Sequence, residues 1–186
     1  ALATGNRTVP GGTMKVAIAS GKGGTGKTTV AVNLAQVIDG PVTLLDCDVE
    51  EPNCALFLTP EIEESETVGI PVPHVDEAAC TACGECSEFC EFNAIVALGD
   101  TPLVFPELCH GCGGCTKVCP ELAIQEVERP IGIVERGRAG SIRFVQGRLN
   151  VGEAMAPPLI GAVKRAISED RSEEHTSELQ SLLIIS

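Results

Sequence analysis

The sequence has no tryptophan and no tyrosine, and aromatic residues make up only 3% of its 186 residues. We therefore expect part of the interior to be organised by something other than large side chains, and the ten cysteines make metal the first candidate. Basic residues are also few, because 13 Lys and Arg stand against 26 Asp and Glu, for a formal charge of −13. This charge argues against nucleic acid or an anionic membrane surface as a partner.

Long apolar runs are absent as well. No stretch approaches the roughly 18 residues that span a bilayer, and the opening ALATGNRTVPGG lacks the basic and apolar regions of a secretion signal. We therefore expect a cytoplasmic protein with no membrane span. In a reducing compartment, the number and spacing of the cysteines favour metal ligands over disulfides.

The first part of the chain has the pattern of an α/β nucleotide-binding fold. After a leader at 1–13, apolar β-branched residues predict a buried strand, and a helical period follows a glycine-rich loop. Asp46 and Asp48 follow the second strand, at the end where ligands bind in open α/β sheets. The predicted elements are a strand at Lys15–Ser20, a loop at Gly21–Gly26, a helix at Thr28–Ile38 and a strand at Val42–Leu45.

The glycine-rich loop satisfies G-x-x-x-x-G-K-S/T between a predicted strand and a predicted helix. Lys27 supplies charge at the β- and γ-phosphates, and Thr28 offers a hydroxyl to Mg²⁺. A purely structural glycine-rich turn would need neither residue. The predicted ATP-binding residues are Gly21, Gly23, Gly24, Thr25, Gly26, Lys27, Thr28 and Thr29.

The cysteines form two copies of C-x2-C-x2-C-x3-C, and the segments around them align as an internal repeat. The first copy has Cys80, Cys83, Cys86 and Cys90; the second has Cys109, Cys112, Cys115 and Cys119. This is the spacing of bacterial two-cluster ferredoxins, in which the fourth cysteine of each run ligates the other cluster. It predicts two [4Fe-4S] clusters, one on Cys80, Cys83, Cys86 and Cys119 and one on Cys109, Cys112, Cys115 and Cys90.

Two structural zinc sites are the alternative, since four cysteines also suit tetrahedral Zn²⁺. Zinc motifs usually pair two cysteines across a longer gap, whereas these runs present a triplet plus one. The first copy departs from the ferredoxin pattern at Glu91, where the second copy has Pro120. Outside the repeats, Cys47 and Cys54 are predicted to be small buried residues, and His74 and His110 are assigned no role.

The chain is predicted to alternate between two kinds of domain. A hairpin at Ile131–Leu149 and a helix at Pro157–Ile167 mark a return to α/β character after the cysteine repeats. The predicted divisions are a leader at 1–13, the first part of a P-loop domain at 14–58, a linker at 59–73, a two-cluster insert at 74–128, the returning P-loop domain at 129–170 and a non-native tail at 171–186.

The tail is predicted to be non-native, because RSEEHTSELQS, at Arg171–Ser181, looks like the translation of a sequencing-library adapter. We expect the natural chain to continue past Asp170. The P-loop domain is then incomplete, because no D-x-x-P-G second switch follows Gly152. On this reasoning the given chain takes up clusters, binds ATP weakly if at all and hydrolyses it at background rates.

With Lys22, the loop reads GKGGTGKTT and resembles the deviant P-loop ATPases of the MinD/ParA/Mrp superfamily. The resemblance implies that Lys22 reaches the nucleotide of the facing subunit in an ATP-bound homodimer. It also implies that Asp48 orients the attacking water, with Asp46 nearer the Mg²⁺ shell. The alternative is that Asp46 and Asp48 merely terminate a strand.

Together with the segment Gly147–Ala154, both motifs resemble the branch of this superfamily that carries an inserted two-cluster ferredoxin domain. The fold implied is a parallel-sheet α/β P-loop domain interrupted by a ferredoxin-like α+β module. The function implied is ATP hydrolysis coupled to [4Fe-4S] clusters, with electron transfer to a redox partner. The alternatives are an Mrp-type carrier that delivers a cluster to apo-targets, and a plain ferredoxin with a regulatory P-loop.

Overall fold

The computed structural model describes the backbone of residues 14–22, 24–173 and 181–185, and the side chains of residues 14–22 and 24–166. The chain divides into two compact units. The P-loop unit consists of Ala1–Glu66, Ile133–Arg148 and Leu159–Ser186, and the cysteine unit consists of Thr67–Gly132 and Leu149–Pro158. The predicted leader at 1–13 lies outside the described residues.

A six-stranded sheet has the strand order β1-β8-β2-β7-β6-β3, and a separate hairpin is formed by β4 and β5. Three neighbouring pairs in this sheet are parallel: β1 with β8, β8 with β2, and β2 with β7. The strands are β1 Met14–Ile18, β2 Val42–Asp46, β3 Glu61–Val75, β4 Ile95–Leu98, β5 Thr101–Val104, β6 Ile124–Ala139, β7 Ile142–Leu149 and β8 Ser181–Ile185.

The described part of the P-loop unit contains two helices and most of a third, and two helices of five residues each carry the cysteine repeats. The helices are α1 Lys27–Val37, α2 Cys54–Leu58, α3 Glu85–Phe89, α4 Gly114–Val118 and α5 Ala156–Glu173, with a 3₁₀ turn at Pro106–Leu108. Among the described residues, none of these helices is both long enough and apolar enough to cross a bilayer.

The core of the P-loop unit lies between α1 and the parallel strands. The small buried face of α1, formed by Ala31, Val32 and Ala35, packs with Leu44 of β2 and Phe144 of β7. Leu44 and Phe144 are register partners in the parallel pair. The α/β class and the parallel strand–loop–helix–strand order predicted from the sequence are therefore confirmed.

The predicted linker at 59–73 instead forms much of β3. Its acidic side chains have basic partners on β6, since Arg136 lies 3.3 Å from Glu64 and 3.0 Å from Glu66. Arg138 lies 3.8 Å from Glu63. The prediction of an acidic linker at 59–73 is therefore wrong, because its charges are paired by basic residues that lie far away in the sequence.

Part of the predicted non-native tail, at 171–173 and 181–185, also belongs to the fold. α5 extends to Glu173, and Ser181–Ile185 forms β8, which pairs in parallel with both β1 and β2. The run SLLII is apolar enough for a central strand of a parallel sheet. The resemblance of 171–181 to an adapter therefore does not predict the structure of these residues. Residues 174–180 and 186 lie outside the described part of the chain.

In the cysteine unit the sequence repeat is also a repeat of backbone conformation. Helices α3 and α4 occupy equivalent places in the two copies. Left-handed backbone recurs at the same positions, and the equivalent pairs are Ala82 and Gly111, Gly84 and Gly113, and Asn93 and Leu122. The same turns therefore shape the chain around both sets of cysteines.

Candidate functional site

A pocket of about 440 Å³ lies at the carboxyl ends of β1 and β2 in the P-loop unit. It brings together most of the predicted phosphate-binding residues and the predicted water-orienting carboxylate. Its lining residues are Gly24, Thr25, Gly26, Lys27, Thr28, Asp48, Glu51, Asn53, Leu56 and Phe57. Lys27 and Thr28 come from the start of α1, whereas Asp48 comes from the loop after β2.

The loop is shaped by its own hydroxyl groups. Ser20 Oγ donates to the carbonyl oxygen of Lys22 at 2.8 Å and lies 2.7 Å from Thr25 Oγ1. Gly26 caps α1 with φ of 85°, a left-handed conformation that a side chain would strain. The amide of Val30 then donates to the Gly26 carbonyl at 3.0 Å and begins the helical ladder.

Other predicted nucleotide-site residues lie beside this pocket and do not line it. Gly21, Lys22 and Thr29 are exposed, and the Thr29 carbonyl accepts a hydrogen bond from Asn33 Nδ2 at 2.7 Å. Gly23 lies outside the described residues. The structure therefore groups Lys27, Thr28 and Asp48 and leaves the Lys22 side chain in solvent.

Asp46 also does not line the pocket. Its side chain is only 1% exposed, and both oxygens accept backbone hydrogen bonds, Oδ1 from Asp48 N at 3.1 Å and Oδ2 from Cys54 N at 3.0 Å. Burial raises the pKa of Asp46, and these two amide hydrogen bonds oppose that rise. The geometry makes Asp46 a support of the loop that carries Asp48.

The two cysteines outside the repeats are buried beside Asp46. Burial raises the pKa of Cys47 to about 11 and also raises the pKa of Cys54. Both thiols are thus neutral at physiological pH, as expected for small packed side chains.

The wall of the pocket is completed by four residues that are not among the predicted site residues, Glu51, Asn53, Leu56 and Phe57. Leu56 and Phe57 are 74% and 61% exposed in a helix that otherwise buries Cys54 and Leu58. In the sequence, the signal for this part of the pocket wall is a pair of large apolar residues that closely follow an acidic loop.

The cysteines of the repeats line two separate pockets, and each pocket takes three cysteines from one copy and one from the other. A pocket of about 460 Å³ is lined by Cys109, Cys112, Cys115 and Cys90. A much smaller one, of about 20 Å³, is lined by Cys80, Cys83, Cys86 and Cys119. This is the grouping that the spacing predicts.

Backbone amides point at several of these sulfurs. Ala94 N donates to Cys90 Sγ at 3.3 Å, and the equivalent Ala123 N donates to Cys119 Sγ at 3.3 Å. Gly111 N donates to Cys109 Sγ at 3.4 Å. Such bonds stabilise thiolates and tune the potential of iron–sulfur clusters.

All ten cysteines are free thiols. Within the described part of the chain, no three His, Cys, Asp or Glu side chains converge to hold a single metal ion. Each pocket is lined by four cysteine sulfurs, which is the donor chemistry of an iron–sulfur cluster site.

The larger cysteine pocket has walls that spacing did not predict. The rings of Phe92 and His110 stack with centroids 3.7 Å apart and planes 11° apart. Glu88, Glu91 and Glu126 also contribute to this pocket. Phe92 and His110 occupy non-equivalent positions in the two copies, so the repeat gave no signal for their contact.

Comparison with protein families identifies the domain. Residues 16–183 match the CobQ/CobB/MinD/ParA nucleotide binding domain, CbiA. The chain belongs to this family. The resemblance to MinD and ParA proteins inferred from GKGGTGKTT is therefore confirmed.

Curated relatives add two different names. An uncharacterized protein of Methanocaldococcus jannaschii is 33% identical over 164 residues, or 86% of this chain and 57% of the relative. A second uncharacterized protein of that organism is 29% identical over 157 residues, or 82% of this chain and 55% of the relative. The chain thus spans about half the length of these relatives. An iron-sulfur cluster carrier protein of Pyrococcus abyssi is 51% identical over 53 residues, 27% of this chain and 18% of the carrier.

Proposed function

We propose that this chain is part of a P-loop ATPase that couples its nucleotide state to two [4Fe-4S] clusters. The observation that carries this proposal is the grouping of eight cysteines into two crossed sets of four, in a chain of the MinD/ParA family. Electron transfer is the outcome that we favour, because complete four-cysteine sets suit resident clusters.

In the P-loop pocket, Lys27 neutralises phosphate charge and the Gly24 and Gly26 backbone leaves room for close approach. Thr28 would hold Mg²⁺ through its hydroxyl. Asp48 is half-buried at the wall of the pocket, where its carboxylate orients the attacking water. No strongly basic group is needed for this role, since catalysis of phosphoryl transfer depends on positioning and charge stabilisation.

In the cysteine unit, the eight thiolates would hold the clusters, which supply one-electron transfer when bound. Each fourth cysteine ties one copy to the other. The amides of Ala94, Gly111 and Ala123 stabilise charge on the sulfurs. The buried side chains of Ile95 and Ile124 pack against cysteines of both sets.

The first proposed partner is a second copy of this chain. Lys22 is exposed beside its own pocket and is available to the nucleotide of a second copy in an ATP-bound homodimer. The cluster partner is a redox protein or an apo iron–sulfur target. We also place the protein in the cytoplasm, because cysteines at the spacing of cluster ligands suit a reducing compartment.

A second candidate is an Mrp-type carrier, in which the cluster is cargo. The similarity to iron-sulfur cluster carrier proteins of Pyrococcus abyssi and Pyrococcus horikoshii supports it, at 51% and 47% identity over 53 residues. A plain ferredoxin with a regulatory P-loop is the third, and absence of ATP turnover would distinguish it from the other two.

The deciding experiment uses the full-length ATPase of which we propose this chain is a part, called the extended chain below. Loaded anaerobically, it is reduced with dithionite with and without Mg-ATP and then incubated with an apo-ferredoxin. A resident cluster whose reduction changes with Mg-ATP, and which the acceptor does not remove, supports electron transfer. ATP-dependent loss of iron to the acceptor supports the carrier. The Lys27→Ala variant is the control, since either ATP effect should vanish in it.

A further inference from the structure

The loop that carries Asp48 leaves β2 at Asp46 and returns to the same carboxylate. Oδ1 holds the amide of Asp48 on the outgoing side, and Oδ2 holds the amide of Cys54 on the returning side. A hydrogen bond from Glu51 N to the Asp48 carbonyl at 3.2 Å tightens the turn between them. A single buried side chain thus fixes both ends of the loop.

The same loop has a third anchor on β7. Val49 is only 2% exposed, and a Cβ added to Gly147 would lie 2.6 Å from Val49 Cγ1. The Val49 side chain therefore packs where β7 offers bare backbone. Asp48 therefore lies between two anchors, its own hydrogen bond to Asp46 and the packed side chain of Val49. Of residues 46–49, Asp48 is the one that lines the nucleotide pocket.

We propose that Asp46 is a positioning residue that holds the Asp48 carboxylate at the phosphate end of the pocket, and that it is not part of a Mg²⁺ shell. The proposal rests on the ATPase function proposed above. A metal-shell carboxylate must present an oxygen to the pocket, whereas both Asp46 oxygens are engaged with the loop backbone and its side chain does not line the cavity.

Asp46→Asn tests this role, because a carboxamide has one acceptor oxygen and at least one of the two amides loses its partner. Hydrogen exchange of the nucleotide-free chain should accelerate roughly tenfold or more at Asp48 or Cys54. Exchange in β2 and α1 should stay at the parent level, and the exposed Asp39→Asn in the same unit should change nothing. Unchanged exchange at both amides would overturn the proposal.

Turnover in the extended chain gives the second measurement. Asp46→Asn should lower kcat about tenfold or more with KM for Mg-ATP within about twofold, since misplacement acts on the transition state. Val49→Ala should give a smaller fall of the same kind. A higher Mg²⁺ requirement with normal amide exchange would overturn the proposal in favour of a metal-shell role. No turnover in the parent extended chain would refute the ATPase function, and the exchange data would still decide whether Asp46 holds the loop.

Discussion

The P-loop unit and the cysteine unit assemble their candidate sites by different means. In the P-loop unit, Lys27 and Asp48 come from different elements, and the parallel register of β1, β8 and β2 brings those elements to one edge. In the cysteine unit, two copies of one short motif supply all the sulfurs, and each copy completes the other's set. A substitution should therefore damage one site while leaving the other intact.

Lys27→Ala is expected to give the largest difference between the two sites, damaging the nucleotide site and sparing the cysteine sets. Removing the charge that faces the phosphates should weaken Mg-ATP binding in the extended chain by about 100-fold or more. Iron content should be unchanged. Lys22→Ala is the matched control, because its side chain is exposed outside the pocket and should spare nucleotide binding by the monomer while impairing hydrolysis in the dimer. Equal losses of affinity in the two variants, measured by calorimetry, would contradict the different roles assigned to the lysines.

Asp48→Asn should separate binding from turnover within the P-loop unit. The amide keeps the shape of the carboxylate but loses the charge that orients water, so kcat in the extended chain should fall about 100-fold. Mg-ATP affinity should stay close to that of the parent. Unchanged turnover would remove Asp48 from the mechanism.

Cys119→Ser should affect only the cysteine unit and only one of its sets. Iron should drop to about half, with loss of the cluster built mainly on the first triplet, because Cys119 lines the pocket of Cys80, Cys83 and Cys86. Cys90→Ser is the matched variant and should damage the other cluster. Electron paramagnetic resonance of the two reduced variants measures the difference. If each serine instead disturbed the cluster of its own copy, the crossed grouping would be wrong.

The smallest effect is expected at Glu153, which joins the two segments of the cysteine unit, Leu149–Pro158 and Thr67–Gly132, through Arg129. Its carboxylate pairs with Arg129 and accepts the amides of Ala154 and Met155, both at 2.9 Å. The hydrogen bond from Arg129 holds the pKa of Glu153 below its ordinary value of 4.5. This pair thus stabilises the fold above pH 4.5, and its contribution is lost as pH falls through the lowered pKa.

Glu153→Gln should accordingly lower the urea midpoint at pH 7 and match the parent in strong acid. Cluster binding and nucleotide binding should remain near parent values. A midpoint difference that does not shrink on acidification would exclude this carboxylate as its source.

The two units differ in how much of each could be predicted from the sequence, because local spacing predicts only the contacts that neighbouring residues determine. The cysteine grouping follows from local spacing, and GKGGTGKTT with its flanking apolar runs predicts a strand, a loop and a helix. The strand character of 61–73 depended on Arg136 and Arg138, which are far away in the sequence. The support of Asp48 depended on Asp46 and Gly147, whose contacts exist only after β2 and β7 pair. The place of Ser181–Ile185 between β1 and β2 is likewise a property of the assembled sheet.

We propose that the crossed cysteine sets hold two four-iron clusters, and the metal content of the chain tests this most directly. Iron, acid-labile sulfide and zinc should be quantified together in the anaerobically reconstituted chain. We expect about eight iron and eight sulfide per chain, with broad thiolate-to-iron absorption that bleaches on reduction. A colourless protein with stoichiometric zinc and no sulfide would contradict it.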